Sequence, residues 1–470
     1  MSFVIYDLET TGLKRGFDQI VQFAAVITDE RLNPIDRVHL RCRLMPHVIP
    51  SPEALNVTGL RIEQLTDPSL PSHYEMVTDI RRILESVGPT LYLGYNSLSF
   101  DEEFLRQAFY QCLYNPFLTN RNGSTRADVL SLCRLTAALE PNVLRPAVGA
   151  DGGKVFKLSA LAKANGLAVG QAHEAAADVD MTHALCRHIS QEAPEVWSQF
   201  LRFSKKSVVE DFMSEEDAFI VSQLSCNQHQ PRVVTRIGRH DRIPTRHYCL
   251  DLNADLDALL AMPDNALAEL CQSATRPIVS VRSNAAPTLW ALYEASPEHI
   301  APLDEDEISE RARKIHGAPR FVERLMNAVR GAETDYPCSP HVEGQIYGSG
   351  FASAHDEGIM LRFHEAPWER RGRYVQRFQD ERFRLLARRL VFYEQPDALD
   401  AEALRAARQE LRKRIMPPVG EDVPWLSIHA AIDEAKILIA EGMEEEALKV
   451  QSTYVDYLKA RAKEIGSGSR

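Results

Sequence analysis

The strongest constraint on this chain is an apolar run near its start that ends in two acids, Phe-Val-Ile-Tyr-Asp-Leu-Glu at residues 3–9. Continuous β-branched and aromatic residues, followed by a Thr-Thr-Gly turn signal, predict a short buried strand from Phe3 to Tyr6. Residues two apart on a strand share a face, so Asp7 and Glu9 would stand side by side at its end. Like charges this close are costly unless a cation such as Mg²⁺ or Mn²⁺ lies between them. A pair of solvated acids is the alternative, because an isolated Asp-x-Glu is a weak signal.

The bulk properties predict an ordinary multidomain globular protein. At 470 residues the chain is too long for one hydrophobic core, and its composition is 44% hydrophobic and 26% charged. It lacks a long apolar run and a basic-then-apolar start, so we expect a cytoplasmic protein with no membrane span or signal peptide. The eight cysteines form no C-x-x-C pair, which argues against zinc and disulfides. With a net charge of -12, binding of a polyanion would depend on local basic patches or on bound metal.

Hydrophobic periodicity in the first part of the chain predicts a mixed sheet flanked by helices. The predicted strands are 20–28, 38–44 and 91–95, and the predicted helices are 74–87 and 102–113. Further along, apolar spacing through Leu185 and Ile189 predicts another helix.

Two further segments carry acids at predicted helix starts. Asp101 follows the strand at 91–95, where a carboxylate would also serve as an ordinary helix cap. His173 and Asp178 stand where the helix through Leu185 begins. Five residues turn roughly 140° around a helix, so the two side chains can serve one site only if His173 lies on the preceding loop. A lone histidine before a helix is otherwise more often a cap or a surface residue.

Together, Asp7-Leu8-Glu9, the segment Asn96 to Asp101 and the segment His173 to Asp178 resemble the three motifs of the DEDDh 3′-to-5′ exonuclease superfamily, in the right order. The resemblance narrows to the bacterial exonuclease I family through Gly94-Tyr95-Asn96, Phe100-Asp101-Glu102-Glu103 and the run Lys-Leu-Ser-Ala-Leu-Ala-Lys-Ala-Asn-Gly at 157–166. It implies an RNase H-like α/β exonuclease domain at 1–198, an SH3-like β domain that binds single-stranded DNA at 199–342, and an all-α helical domain at 343–470.

The resemblance also implies the chemistry. Its metal ligands fall on Asp7, Glu9, Asp101 and Asp178, and its general base falls on His173. Four carboxylates would neutralise two Mg²⁺ ions, with Mn²⁺ as the alternative, and such ions activate water and stabilise the leaving 3′ oxygen. A neutral histidine can accept the proton of the attacking water. The implied reaction is 3′-to-5′ hydrolysis of single-stranded DNA to 5′-mononucleotides, in DNA repair and recombination.

Substrate contacts are expected next to the first acidic pair, where hydroxyls or backbone N–H groups would hold the terminal nucleotide. Leu13 would either stack on a base or pack in the core. The predicted substrate-binding residues of the nuclease domain are Thr10, Thr11, Gly12, Leu13, Asn96 and Lys157.

A basic β-rich stretch at 230–252 is the expected DNA-binding part of the middle domain, with Arg232, Arg236 and Arg239 as the predicted contacts. A solvated edge strand protected by charge is the alternative. Few aromatic residues interleave with these arginines, so we expect contact with phosphates rather than stacking on bases.

The rest of the chain is predicted to be largely helical. The predicted helices are 253–271 and 309–330, around a strand at 277–281, followed by 368–393, 401–414 and 428–460, with a frayed tail at 466–470. Eight arginines lie within 368–393, and they would either pair with Glu369, Asp380 and Glu381 or line a positive channel.

Two alternatives to the leading hypothesis remain. The same five site residues would also serve a 3′-to-5′ exoribonuclease, although the length and downstream domains favour DNA. A catalytically silent binding scaffold would be expected to lack a metal ligand, and none is lost here. By resemblance, the further partner is the acidic C-terminal tail of single-stranded DNA-binding protein, for which no residues can be assigned. We expect a monomer that does not bind membranes.

Overall fold

A computed structural model of the chain describes residues 2–150, 152–168, 174–225, 228–333, 338–348, 350–418 and 420–467. The N-terminal part contains β1 Ser2–Thr10, β2 Ile20–Thr28, β3 Pro34–Arg41, α1 Pro52–Thr58, α2 Ile62–Leu65, α3 His73–Ser86, β4 Thr90–Gly94, α4 Asp101–Gln111, β5 Thr125–Asp128, α5 Val129–Leu139, β6 Ala147–Val148, β7 Lys154–Val155, α6 Leu158–Ala164 and α7 Ala175–Glu192. Its main sheet has the order β3-β2-β1-β4-β5.

The central strand of this sheet is β1, which is antiparallel to β2 and parallel to β4. Strand β2 is buried along its whole length, and its bounds match the predicted strand at 20–28. Strand β3 ends at Arg41, three residues before the predicted end. The mixed sheet flanked by helices is therefore confirmed.

The two faces of β1 pack against different layers. Phe3 and Ile5 lie in a hydrophobic cluster with residues of α5 and α7, whereas Val4 and Tyr6 lie in a second cluster with residues of α3, α4 and the C-terminal helices. Because side chains alternate along a strand, residues 7 and 9 continue the face that α7 covers.

The middle part contains α8 Pro194–Phe203, α9 Lys206–Glu215, β8 Phe219–Ser225, β9 Gln228–Arg239, β10 Arg246–Asp251, α10 Leu256–Ala261, α11 Asp264–Gln272, β11 Ile278–Arg282, β12 Leu289–Ala291, α12 Pro297–Ile300, α13 Glu305–His316 and α14 Pro319–Gly331. Its antiparallel sheet has the order β11-β10-β9-β8-β12. The single helices predicted at 253–271 and 309–330 are wrong, because each is two helices with a proline at the start of the second, Pro263 and Pro319.

The C-terminal part contains α15 Ala354–Glu365, α16 Trp368–Val375, α17 Glu381–Glu394, α18 Ala401–Ile415, α19 Ile428–Glu441 and α20 Glu445–Ser467. The single helices predicted at 368–393 and 428–460 are also wrong. The first is interrupted between Val375 and Glu381, and the second breaks at Gly442, whose φ of 93° lies outside the helical region. The end of the predicted tail, 468–470, lies outside the described residues. The predicted class, an α/β domain followed by β-rich and helical parts, is confirmed.

Four of the eight arginines of the predicted 368–393 helix form ion pairs with acids: Arg382, Arg384, Arg388 and Arg389. Arg382 pairs with Asp380 at 2.7 Å and Arg384 with Glu381 at 2.8 Å. The pairing interpretation is therefore confirmed for both arginines. The predicted boundary at 198/199 falls within α8, whose Trp197 ring lies 5.7 Å from that of Phe3, so the domain limits stay a prediction.

Two general features complete the fold. Among the described residues, no helix has both the length and the apolar character needed to cross a membrane. Each cysteine in the described part of the chain is a free thiol, and of these only Cys338 is exposed.

We call the described residues 338–348 and 350–353, which lie between α14 and α15, the connector. A buried ion cluster around Glu343 joins it to the C-terminal helices. Glu343 is 1% exposed and accepts from Arg389 of α17 at 2.6 Å and from Arg414 of α18 at 3.1 Å. Burial by itself would raise the pKa of Glu343, but the two guanidinium groups lower it to about 2. The ionised carboxylate therefore joins the connector to two helices.

We expect Glu343→Gln to lower the free energy of unfolding by about 3–5 kcal/mol, because it leaves the buried Arg414 without its counter-charge and Arg389 with Glu410 alone. Urea unfolding followed by circular dichroism measures the loss. Glu85→Gln is the matched control, since Glu85 forms an exposed ion pair with Arg81 at 2.9 Å worth less than about 1 kcal/mol. Equal losses in the two variants would contradict the ion-cluster account.

Candidate active site

Three predicted ligands converge at the end of β1. One carboxylate oxygen each from Asp7, Glu9 and Asp178 lies within 4.8 Å of the others. Asp178 belongs to the first turn of α7, which Val179 and Leu185 anchor in the same hydrophobic cluster as Phe3. The packing of α7 on β1 therefore brings together acids that are about 170 positions apart in the sequence.

The fourth predicted ligand, Asp101, reaches the site from another direction. Strand β4 ends at Gly94, and α4 begins with Asp101. The backbone N–H of Leu8, between the two acids of β1, donates to Asp101 Oδ1 at 3.0 Å. This hydrogen bond places the Asp101 carboxyl beside β1, although outside the group of three oxygens.

The electrostatics of the site oppose ionisation. Burial, followed by the charges of Asp101, Asp178 and Glu9, raises the pKa of Asp7 well above its usual range. Burial and the charges of Asp178 and Asp101 raise the pKa of Glu9 to about 8. Burial also raises the pKa of Asp101 to about 8, although its hydrogen bond from Leu8 acts in the opposite direction. Crowded carboxylate oxygens of this kind fit a hard divalent cation, which would relieve their repulsion.

The start of α7 is tied to the edge strand β3. Arg41 lies 3.7 Å from Glu174, the residue before α7, and Arg37 pairs with Asp180. The helix begins at Ala175, so Asp178 projects from the helix as predicted. His173 lies outside the described residues, and its role as general base stays a prediction.

The acid next to Asp101 has a structural role. Glu102 is fully buried and accepts from Arg106 at 3.0 Å and from Arg126 at 2.9 Å. It also accepts from the Tyr6 hydroxyl at 3.0 Å, on the face of β1 opposite to Asp7. Two arginines compensate this buried charge, so Glu102 is not a spare metal ligand.

Sequence reasoning missed Asp128, which holds the turn before α4. Its carboxylate accepts from the N–H groups of Asn96 at 2.8 Å, Leu98 at 3.3 Å and Leu130 at 2.9 Å. Asn96 has a positive φ of 60°, so this turn needs a fixed partner to keep its shape. In the sequence, Asp128 is an acid between an apolar segment and a predicted helix. An ordinary helix cap has the same pattern, so the pattern alone did not single out Asp128.

The predicted substrate residues at the end of β1 and just after it form a closed turn. Thr10 Oγ1 donates to the carbonyl of Gly12 at 2.7 Å, and Thr11 Oγ1 donates to Asp18 at 3.2 Å. A side chain at Gly12 would collide with Asp18, since its Cβ would lie 2.5 Å from that carboxylate. Leu13 is 77% exposed, so the core-packing alternative for it is wrong.

The remaining predicted contacts are dispersed. Asn96 is exposed, and its side-chain oxygen accepts from Ser99 at 3.0 Å, while Lys157 is exposed at the start of α6. On β9, Arg232 lies 3.7 Å from Asp251 and Arg236 donates to Ser214 at 3.1 Å. Arg239 is exposed opposite His247. Substrate contact by these residues stays a prediction.

The middle sheet instead presents a different set of arginines to a cavity of about 680 Å³. A second cavity of about 470 Å³ shares two of them and reaches α5. We call the two cavities together the basic groove, and its arginines are Arg134, Arg242, Arg246, Arg276 and Arg282. Arg246 of β10 pairs in register with Arg282 of β11, so a cross-strand pair is part of its lining.

Comparisons with known proteins agree with this geometry. Residues 4–186 match the Exonuclease (RNase_T) family model. This stretch is an exonuclease-family domain. Exodeoxyribonuclease I of Haemophilus influenzae is 27% identical over 81% of this chain and 84% of its own length. Escherichia coli exonuclease I in complex with a dA16 oligonucleotide has a TM-score of 0.85 at 23% identity, over 99% of each chain. A solved ExoI/SSB-Ct complex has a TM-score of 0.83 at 22% identity, again over 99% of each chain.

The resemblance to the exonuclease I family is thereby confirmed. An exonuclease-family domain also implies dependence on a divalent metal, which the carboxylates of Asp7, Glu9 and Asp178 fit.

We expect Asp7→Asn to stabilise the metal-free protein while abolishing turnover. The folded-state pKa of Asp7 is raised, so ionisation opposes folding increasingly as the pH rises above about 4. Removing that charge should raise the unfolding temperature by at least about 2 °C at pH 8, and by less near pH 4. Calorimetry in EDTA at both pH values measures the gain. Asp29→Asn is the control, since hydrogen bonds from Asn33 lower the pKa of Asp29. A stability gain independent of pH would contradict the repulsion.

We expect Asp128→Ala to weaken metal binding in the exonuclease domain, because the freed turn no longer fixes the start of α4 and therefore Asp101. Loss of a residue that orients a ligand typically costs about 10–100-fold in metal affinity or activity. The divalent-metal concentration that gives half the maximal rate of hydrolysis measures the loss, and Asp128→Asn, which keeps one acceptor oxygen, should lose less. Asp255→Ala removes a similar cap, 3.0 Å from Ala258 N, outside the site. The same change in metal dependence there would contradict the assignment.

Proposed function

We propose that the chain is a 3′-to-5′ exodeoxyribonuclease that degrades single-stranded DNA to 5′-mononucleotides. The observation that carries the proposal is the convergence of Asp7, Glu9 and Asp178, with Asp101 beside them, at the end of the central strand of an exonuclease-family domain. The Haemophilus influenzae relative, named exodeoxyribonuclease I, supports DNA as the substrate. A role in DNA repair and recombination and a cytoplasmic location belong to the proposal.

The four carboxylates would hold two Mg²⁺ ions, with Mn²⁺ as a substitute. Such ions supply charge neutralisation at the scissile phosphate and activation of water. The protein fixes three of the oxygens through the packing of α7 on β1 and the fourth through the hydrogen bond from Leu8. A silent scaffold would have no need to maintain this repulsion.

Two further residues act on the substrate in this proposal. His173, just before the first turn of α7, would take the proton of the attacking water. Leu13 is exposed and follows the acidic pair closely, so it would contact the terminal base. Neither role needs the hydroxyls of Thr10 and Thr11, which hydrogen-bond within their own turn.

The single strand would run from the carboxylates into the basic groove, where arginines offer bidentate contacts to phosphates. The Escherichia coli structure with a dA16 oligonucleotide supports a single strand as the ligand. The ExoI/SSB-Ct complex supports the acidic tail of single-stranded DNA-binding protein as a second partner. We expect a monomer.

The test is digestion of matched 5′-labelled single-stranded DNA, duplex DNA and RNA, with Mg²⁺ or with EDTA. We expect single-stranded DNA to shorten from its 3′ end in Mg²⁺ alone, and Asp178→Ala to lower the rate more than about 100-fold because a ligand is lost. Folding of that variant is checked by circular dichroism. A preference for RNA would make the protein an exoribonuclease, and digestion in EDTA would overturn the metal mechanism.

A further inference from the structure

The connector before the helical part carries two strongly exposed aromatic side chains. Tyr347 is 55% exposed and Phe351 is 84% exposed. Both lie against Phe117, with ring centroids 6.2 and 5.8 Å from its own. Grouped apolar side chains at a surface, unlike single ones, mark an interaction site. We call Phe117, Tyr347 and Phe351 the aromatic platform.

The platform adjoins the basic groove. Tyr347 lines the same 680 Å³ cavity as four of the groove arginines. Phe117 and Phe351 also line a second cavity of about 360 Å³, which includes the exposed Arg121. A polyanion lying in the groove would therefore meet flat rings where the arginines end.

The Tyr347 ring is fixed relative to the carboxylate site. Its hydroxyl donates to Glu103 at 2.6 Å and accepts from Arg106 at 3.1 Å. The Arg106 guanidinium lies 5.2 Å from the centre of the Phe117 ring. Glu103 and Arg106 belong to α4, whose first residue is Asp101. One helix thus positions both a predicted metal ligand and the platform.

We propose that the aromatic platform stacks unpaired bases of the strand whose phosphates lie in the basic groove. The inference rests on the proposed function and explains how the exonuclease would select single-stranded over duplex DNA. Arginine-lined grooves combined with stacking rings bind single strands without sequence preference. Bases in a duplex are paired and stacked, so they cannot offer their faces to these rings. The connector therefore supplies exposed rings to a groove whose own strand tyrosine, Tyr248 of β10, is only 5% exposed.

Binding in EDTA tests the proposal without digestion. Fluorescence anisotropy compares an oligothymidylate of about fifteen nucleotides with an abasic oligomer of the same length. We expect Phe351→Ala and Tyr347→Ala each to weaken binding of the oligothymidylate roughly 5- to 150-fold. Their binding of the abasic oligomer should change less than twofold, because the phosphate contacts remain.

Two controls separate stacking from structure. Tyr347→Phe keeps the ring and should retain most of the binding that Tyr347→Ala loses. Tyr293→Ala removes a 71% exposed tyrosine outside the platform and should change neither affinity. Equal losses for both oligomers, or no loss for either, would overturn the stacking role. The same anisotropy measurement is made with the acidic C-terminal peptide of single-stranded DNA-binding protein, and variants that lose only peptide binding would also overturn it. If the unaltered protein digests no single-stranded DNA, the proposed function fails instead.

Discussion

Mutual repulsion of crowded carboxylates, one buried and two half-buried, is the constraint around which this molecule is arranged. Asp7, Glu9 and Asp178 come within 4.8 Å of one another, and burial already penalises the charges of Asp7 and Glu9. Nothing in the acids themselves favours that approach, so apolar packing must drive it. The hydrophobic cluster that joins Phe3 and Ile5 to Val179 and Leu185 supplies this driving force. A bound cation would offset part of the repulsion between the carboxylates.

Two other buried acids of the chain are stabilised by arginines instead of being crowded against other carboxylates. Glu102 and Glu343 are more deeply buried than Glu9, yet each meets two arginines. The pKa of Glu343 falls to about 2, whereas burial and neighbouring carboxylates raise that of Glu9 to about 8. The direction of the shift thus distinguishes a carboxylate that joins structural elements from one kept for a cation.

How much the sequence could predict depended on whether the signal was local. Strand β2 was predicted to the residue because its apolar run is continuous. Alternation along a strand placed Asp7 beside Glu9, whereas Asp178 was linked to them only by the resemblance to the exonuclease motifs. The break at Pro319 was missed because the apolar period continues across it. Arg282 could not be linked to Arg246, since their pairing depends on strand register. Asp128 was missed because its three hydrogen bonds look like a single cap in the sequence.

The start of α4 shows how one short element can serve several needs. Successive residues of a helix point about 100° apart, so neighbours face different surroundings. Asp101 is held beside β1 by Leu8, Glu102 faces two buried arginines, and Glu103 holds Tyr347. The buried ion pair between Glu102 and Arg126 joins this helix to β5. A strand contacting Tyr347 would consequently be positioned relative to the carboxylates by a fixed helix rather than by a loop, as accurate cleavage of a single bond requires.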